Sequence, residues 1–226
     1  ARATPSEPRR FRRSVPEDKI ADQAFEMLRA AKRPVIIAGN GTIRRRASKQ
    51  LRLFCEATGI GVMSTFMAKG CVDMDADYCL YTIGLGSKDI PTLAIDEADL
   101  VITLGFDMVE YHPKLWNPNK DKKILHADFL PAEIDEYYHP ETELVGDLAH
   151  TLWMLNERVR AQVLDGDLPD YDLSGQADVR RRMGEELAAH ANDSGEGPIR
   201  PQKMLWDARQ VLGPDAIVLS DVGAHK

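Results

Sequence analysis

Pro34-Val-Ile-Ile-Ala-Gly-Asn-Gly41 decides the fold. A short, continuous apolar run without polar alternation describes a strand buried on both faces, and such strands belong to parallel sheets covered by helices. The Gly39-Asn40-Gly41 that ends it is a strand-to-helix turn. A helix is predicted over 44–58, with Ala47, Leu51, Phe54 and Cys55 inward and Gly59 placed to close it in the left-handed conformation. Residues 60–64 read as the next strand.

Outward from this unit the alternation continues. A glycine-spotted loop (65–87) leads to a helix from about residue 91 and a strand over 100–104. A strand over 123–127, a short helix opened by Pro131 and a strand over 142–145 follow. Asp147 then caps a helix whose inward residues are Leu148, Leu152, Leu155 and Val159. Upstream, Ser14-Val15-Pro16-Glu17 reads as a capping box ahead of a helix that buries Ile20, Ala24, Phe25, Leu28 and Ala31. Five buried strands alternating with helices predict an α/β, doubly wound parallel sheet of Rossmann-like type.

The expected organisation is an interdomain linker over 1–13, a central domain over 14–164, a linker and charged helix over 165–197, and a truncated second α/β unit over 198–226. That last unit is a helix over 201–212 and a strand over 216–220 running into Asp221-Val222-Gly223. A parallel strand needs neighbours and a crossover, so the chain is read as one domain plus the beginning of another.

A net charge of −7 leaves no excess of cations to neutralise phosphates, which argues against a general nucleic-acid binder. The clusters Arg9-Arg10-Phe11-Arg12-Arg13 and Arg44-Arg45-Arg46 read as solvated loops and helix starts. Cys55, Cys71 and Cys79 have neither an even count nor metal spacing, which fits a reducing cytoplasm better than a disulfide framework or a zinc site. No apolar run approaches a membrane span, and no signal peptide opens the chain.

Candidate ligand positions gather at the carboxyl ends of strands, where α/β sheets bind small molecules. Gly39, Asn40 and Gly41 let backbone amides approach a phosphate or a ribose, or simply make a tight turn. This is not the dinucleotide fingerprint, because Arg44 stands where the third glycine belongs, and that disfavours a NAD-dependent dehydrogenase. Gly70, Gly84, Gly86 and Gly105 lie along the same edge. Residues 105–116 form an aromatic loop expected to pack on the sheet or on a neighbouring domain through Tyr111 and Trp116. His126 reads as a satisfied core histidine. His112, His139, His150 and His190 show no metal spacing, and Asp107 and Glu110 are treated as surface carboxylates rather than an acid/base pair.

Taken in order, Arg33-Pro-Val-Ile-Ile-Ala-Gly-Asn-Gly41, Ala98-Asp-Leu-Val-Ile-Thr-Leu-Gly105, Ile124-Leu-His-Ala-Asp128 with Pro131-Ala-Glu-Ile134, and Leu144-Val-Gly-Asp147 resemble the central domain of thiamine-diphosphate-dependent enzymes. Ser220-Asp-Val-Gly-Ala-His-Lys226 resembles the start of their diphosphate-binding domain. The acetolactate synthase large subunit is the member it most resembles. The resemblance implies a longer enzyme, with thiamine diphosphate and Mg²⁺ as cofactors, that decarboxylates pyruvate and joins the two-carbon unit to a second 2-keto acid. It also implies partner pyrimidine- and diphosphate-binding domains, assembly as a homodimer or homotetramer, and a cytoplasmic location, with neither nucleic acid nor membrane involved. The family's activating Glu and Mg²⁺ motif have no counterpart in these residues, so no catalytic or metal residue is expected here, and the chain alone is expected to be inactive.

By the same resemblance Val222, Gly223, Ala224 and His225 map onto the loop that contacts the cofactor diphosphate. Gly39, Asn40, Gly41, Gly105 and Asp128, with 65–67, 85–87 and 105–107, map onto the flavin adenine dinucleotide (FAD) edge of biosynthetic acetolactate synthases. The stretch after the third expected strand is Arg-rich in those enzymes, whereas this chain has Asp107-Met-Val-Glu-Tyr111. Each lost charge-assisted hydrogen bond costs about 1.5–3 kcal/mol, so tight FAD binding is not expected. Other carboligases, such as sulfoacetaldehyde acetyltransferase or glyoxylate carboligase, and a non-catalytic nucleotide-binding regulatory domain are the alternatives.

Overall fold

The structure is a computed structural model that describes residues 13–84, 86, 89–189, 191–193, 197–213 and 215–219. Its centre is a six-stranded, all-parallel sheet in the order β3-β2-β1-β4-β5-β6. The strands are β1 (Pro34–Ala38), β2 (Val62–Thr65), β3 (Cys79–Ile83), β4 (Leu100–Leu104), β5 (Lys123–Asp128) and β6 (Thr142–Val145). β1 and β4 are buried at every position, as their unbroken apolar runs require.

The helices are α1 (Asp18–Ala30), α2 (Asn40–Arg44), α3 (Ser48–Thr58), α4 (Thr92–Glu97), α5 (Leu148–Asp165), α6 (Ser174–Ala188) and α7 (Pro201–Val211). Two apolar layers sandwich the sheet. On one face α1, α3 and α5 supply Leu28, Leu51, Phe54, Leu152 and Leu155 against Ile36, Ile102 and Leu125. On the other, α4 and α6 join the loop after β4, bringing Ile95, Val179, Phe106, Tyr111 and Trp116 onto Ile37, Val101 and Ile124. The strand order reverses between β1 and β4, so the switch-point crevice lies where these two strands end.

Several local expectations are corrected. The sheet has a sixth strand, β3, inside the stretch expected as a loop. It carries a register irregularity against β2 and a left-handed Tyr81 (φ 66°), which blurs its pattern. The helix predicted over 44–58 starts only at Ser48, and the expected turn before it holds the short helix α2, from which Arg46 (φ 55°) separates it. No helix follows Pro131; a single bridge between Asp135 and Tyr138 closes that loop. Ser14 and Glu17 form no capping box. Glu17 occupies the N-cap without a side-chain bond, while the Ser14 carbonyl accepts from the Asp147 amide (2.8 Å). Residues 216–219 form no strand, and Ile217 and Leu219 are exposed. The two caps expected from Gly59 and Asp147 are present: Gly59 has φ 71°, and Asp147 accepts from the His150 amide at 3.0 Å.

α6, expected as part of a linker, packs on the sheet. Its Gln176 amide group accepts from the Gly61 amide and donates to the Pro34 carbonyl, each at 2.7 Å, joining the amino ends of β1 and β2. Tyr171 donates to the Leu28 carbonyl, and Arg180 donates to the Cys79 carbonyl at the sheet's β3 edge. No helix among the described residues is long and apolar enough to cross a membrane.

Candidate functional site

The carboxyl ends of β1, β4 and β5 meet at the switch point, and the residues singled out there by sequence do come together. The turn after β1 and the exit of β4 are packed backbone to backbone. The Gly39 amide donates to the Leu104 carbonyl (2.8 Å), the Gly41 amide to the Gly105 carbonyl (2.9 Å), and the Thr42 hydroxyl to the Leu104 carbonyl (3.0 Å). A Cβ on Gly39 would stand 2.3 Å from the Gly105 oxygen, and one on Gly41 2.6 Å from the Gly105 Cα; Gly105 itself has φ 57°. The close approach of the two loops therefore explains these three glycines, without any ligand.

Of two side chains expected at the surface, one is drawn into this edge and the other, Asp107, stays exposed. Glu110 reaches back from the loop after β4, and its Oε1 accepts from the Asn40 amide at 3.4 Å. Its other oxygen, Oε2, is buried and has no hydrogen-bond partner. Asp107 does something different: its carboxylate accepts from the Val109 amide (2.9 Å) and holds the turn, so the two carboxylates form no pair. At the end of β5, Asp128 accepts from the Phe129 amide, and the Arg45 guanidinium lies over the Phe129 ring, 4.2 Å from its centroid. Burial pushes the Asp128 carboxyl above its ordinary range, against the opposing pull of the Phe129 amide, His126 and Arg45.

Behind the edge, Tyr111 and Trp116 are buried as the packed loop predicts. Trp116 meets Phe106 and Tyr138 edge-to-face at centroid distances of 6.1 and 6.2 Å. His126 is a core residue. Its Nε2 faces the Leu130 carbonyl (3.2 Å), its Nδ1 faces the Tyr138 hydroxyl (2.8 Å), and that hydroxyl meets the Thr103 hydroxyl at 2.6 Å. Since a carbonyl only accepts, Nε2 carries the proton in the neutral ring and Nδ1 accepts from Tyr138. Polar Thr103 and His126 inside two apolar strands were the only sequence signal of this network. Nothing in the sequence pointed to Gln176 or to the reach of Glu110.

Among the described residues no group of three or more His, Cys, Asp or Glu side chains could hold a metal ion. Val222, Gly223, Ala224 and His225 lie outside the described residues, as do Leu85, Ser87 and His190.

A sequence model of the thiamine pyrophosphate enzyme central domain matches residues 21–155, more than half of the chain. The chain belongs to this family. The match runs from within α1 into α5 and covers the whole sheet. Among its relatives, an acetolactate synthase from Bacillus subtilis (strain 168) is 28% identical over 211 residues, covering 92% of this chain and 36% of that protein. An acetolactate synthase large subunit from Corynebacterium glutamicum is 30% identical over 216 residues, 94% of this chain and 34% of its own length. A glyoxylate carboligase from Escherichia coli O157:H7 is 28% identical over 204 residues, 89% and 34% respectively. The chain thus spans about a third of the length of the curated relatives it matches.

Proposed function

We propose that this chain is the scaffold portion of a thiamine-diphosphate-dependent carboligase of acetolactate synthase type. The enzyme would decarboxylate pyruvate and ligate the two-carbon unit to a second 2-keto acid. The observation that carries the reading is the similarity to acetolactate synthases along about nine-tenths of the chain. Bound thiamine diphosphate, with Mg²⁺, supplies the electron sink for decarboxylation. The described residues supply none of that chemistry. They offer a rigid sheet, two packed faces and a carboxyl edge against which pyrimidine- and diphosphate-binding domains would dock, in a cytoplasmic homodimer or homotetramer. On its own the chain would be inactive, because the activating Glu and the Mg²⁺ motif that the resemblance implies have no counterpart in its sequence.

The test is acetolactate formation from pyruvate by the full-length protein, with and without thiamine diphosphate and Mg²⁺. Cofactor-dependent product is expected. A similarly distant glyoxylate carboligase motivates one second reading, that the acceptor and donor are both glyoxylate. Turnover of glyoxylate but not of pyruvate would replace the first reading with the second.

A further inference from the structure

The backbone amides of the turn after β1 are already engaged by the chain itself. In an open α/β sheet an anionic ligand lies at the switch point and takes backbone amides from the turn after the first strand. Here all four amides from Gly39 to Thr42 are engaged. Gly39 donates to Leu104, Asn40 to Glu110, Gly41 to Gly105 and Thr42 back to the Gly39 carbonyl. The partner of Asn40 is the telling one, because it is a carboxylate standing where a ligand's phosphate would stand.

We infer that Glu110 is a selectivity residue that bars phosphate-bearing nucleotides, FAD among them, from this edge. The inference deepens the carboligase reading above and rests on it. A diphosphate entering the crevice would lose the Asn40 amide to Glu110 and would face the carboxylate charge at short range. Glu110 is held in place. Its loop is braced by the Asp107 carboxylate on the Val109 amide, by Gly84 packed against the Glu110 carbonyl, and by the buried Tyr111 that follows. The arrangement also carries a cost, since Oε2 is buried without a donor, and such uncompensated polar atoms mark positions kept for something other than stability. At the other end of the edge the Arg45 guanidinium lies over the exposed Phe129 ring and lowers the neighbouring Asp128 carboxyl against its burial.

The experiment titrates FAD and ADP separately into the full-length protein and into its Glu110→Gln, Glu110→Ala and Glu110→Asp forms. Binding is read by flavin fluorescence and by calorimetry, and folding is checked by circular dichroism. Wild type and Glu110→Asp are expected to show weak or no saturable binding. Glu110→Gln and Glu110→Ala should bind at least about tenfold more tightly, because the charge is gone and the Asn40 amide is open to competition. Stoichiometric flavin in the purified wild type would overturn the inference and the expectation that FAD is not tightly bound, while leaving the carboligase reading to its own test. A wild type that binds neither ligand, with folded Gln and Ala forms that gain nothing, would overturn the inference alone and leave the carboligase reading to its own test.

Discussion

The hydroxyl of Tyr138 bridges two side chains that would otherwise be stranded in the sheet, Thr103 on β4 and His126 on β5. Replacing it with phenylalanine keeps the ring stacked beside Phe106 and Trp116 but leaves His126 Nδ1 and the Thr103 hydroxyl facing each other at 3.5 Å. Tyr138→Phe should therefore cost about 1–3 kcal/mol of stability to urea, as expected for buried polar groups that lose a partner. In the wild type, nitrogen chemical shifts of His126 should report a protonated Nε2 at neutral pH; a protonated Nδ1 in the neutral ring would refute the assigned hydrogen-bond direction. Gly39→Ala tests a different kind of constraint. Gly39 has an ordinary extended backbone (φ −100°), so the obstacle is the backbone of Gly105 and Phe106, whose nearest atoms, the Gly105 oxygen and the Phe106 Cα, stand 2.3 and 2.6 Å from the new Cβ. A loss of about 2 kcal/mol or more is expected from this overpacking, and a neutral outcome in a urea melt would mean that the two loops can part freely. The sequence analysis offered these glycines as either a ligand cradle or a plain turn. Contact between residues some sixty-five positions apart is what distinguishes the two, and no local pattern carries it.

At the scale of elements, what could be read in advance was what burial writes into short runs. β1 and β4 were legible because an apolar run of four or five residues has few other uses inside a folded chain, β2, β5 and β6 from shorter apolar stretches, and the long helix behind Asp147 from its cap and apolar spacing. β3 was not, because its bulge and left-handed Tyr81 break the run and its flanks are acidic. α6 read as a charged linker helix because it buries only Gln176 and Val179, and its hydrogen bonds to the sheet come from Gln176 and Arg180, which no apolar periodicity reports. The three cysteines share the layer around α3 and the β2–β3 connection, and all are buried and free. Burial raises all three thiols, Cys71 to about 11 from an ordinary 9.0. The sign follows directly. Above pH 9 the unfolded chain releases the Cys71 proton while the folded chain keeps it, so unfolding gains free energy until the pH reaches about 11. Stability should fall across that window by about 2–3 kcal/mol for this residue at roughly 1.4 kcal/mol per unit. The fall should shrink in Cys71→Ala, measured by urea melts at pH 8, 9, 10 and 11. An identical pH slope in wild type and variant would show that this thiol is not the cause. By the same argument none of the three should react with a thiol reagent at pH 8 until the protein is unfolded.

For the whole molecule the question is where the packed body ends. Composition placed the boundary near residue 164, at the end of α5, yet the sheet continues to draw on the chain beyond it. Tyr171 and Asp172 bond to the end of α1 and the turn that follows it, Gln176 ties the starts of β1 and β2, and Val179 is fully buried beside Ile95 and Leu80. α7, by contrast, has no buried residue, and residues 217–219 present their apolar side chains to solvent. A body that closes with α6 makes a two-sided prediction for truncated chains. A chain ended after Ala191 should keep the thermal midpoint of the 226-residue chain to within about 2 °C, because none of the described residues it loses is buried. A chain ended after Leu173 should be much weaker. It strands the Gly61 amide and the Pro34 carbonyl, at about 1–3 kcal/mol each, and exposes the apolar surface that Val179 covered, at about 1.5–3 kcal/mol more. The resulting loss of about 5 kcal/mol corresponds to a midpoint about 10–20 °C lower for a domain of this size. Calorimetry on the two truncations decides the matter. Equal midpoints would return α6 to the linker and place the boundary at the end of α5, whereas a large drop confined to the shorter chain assigns α6 to the scaffold and leaves α7 as the first element outside it.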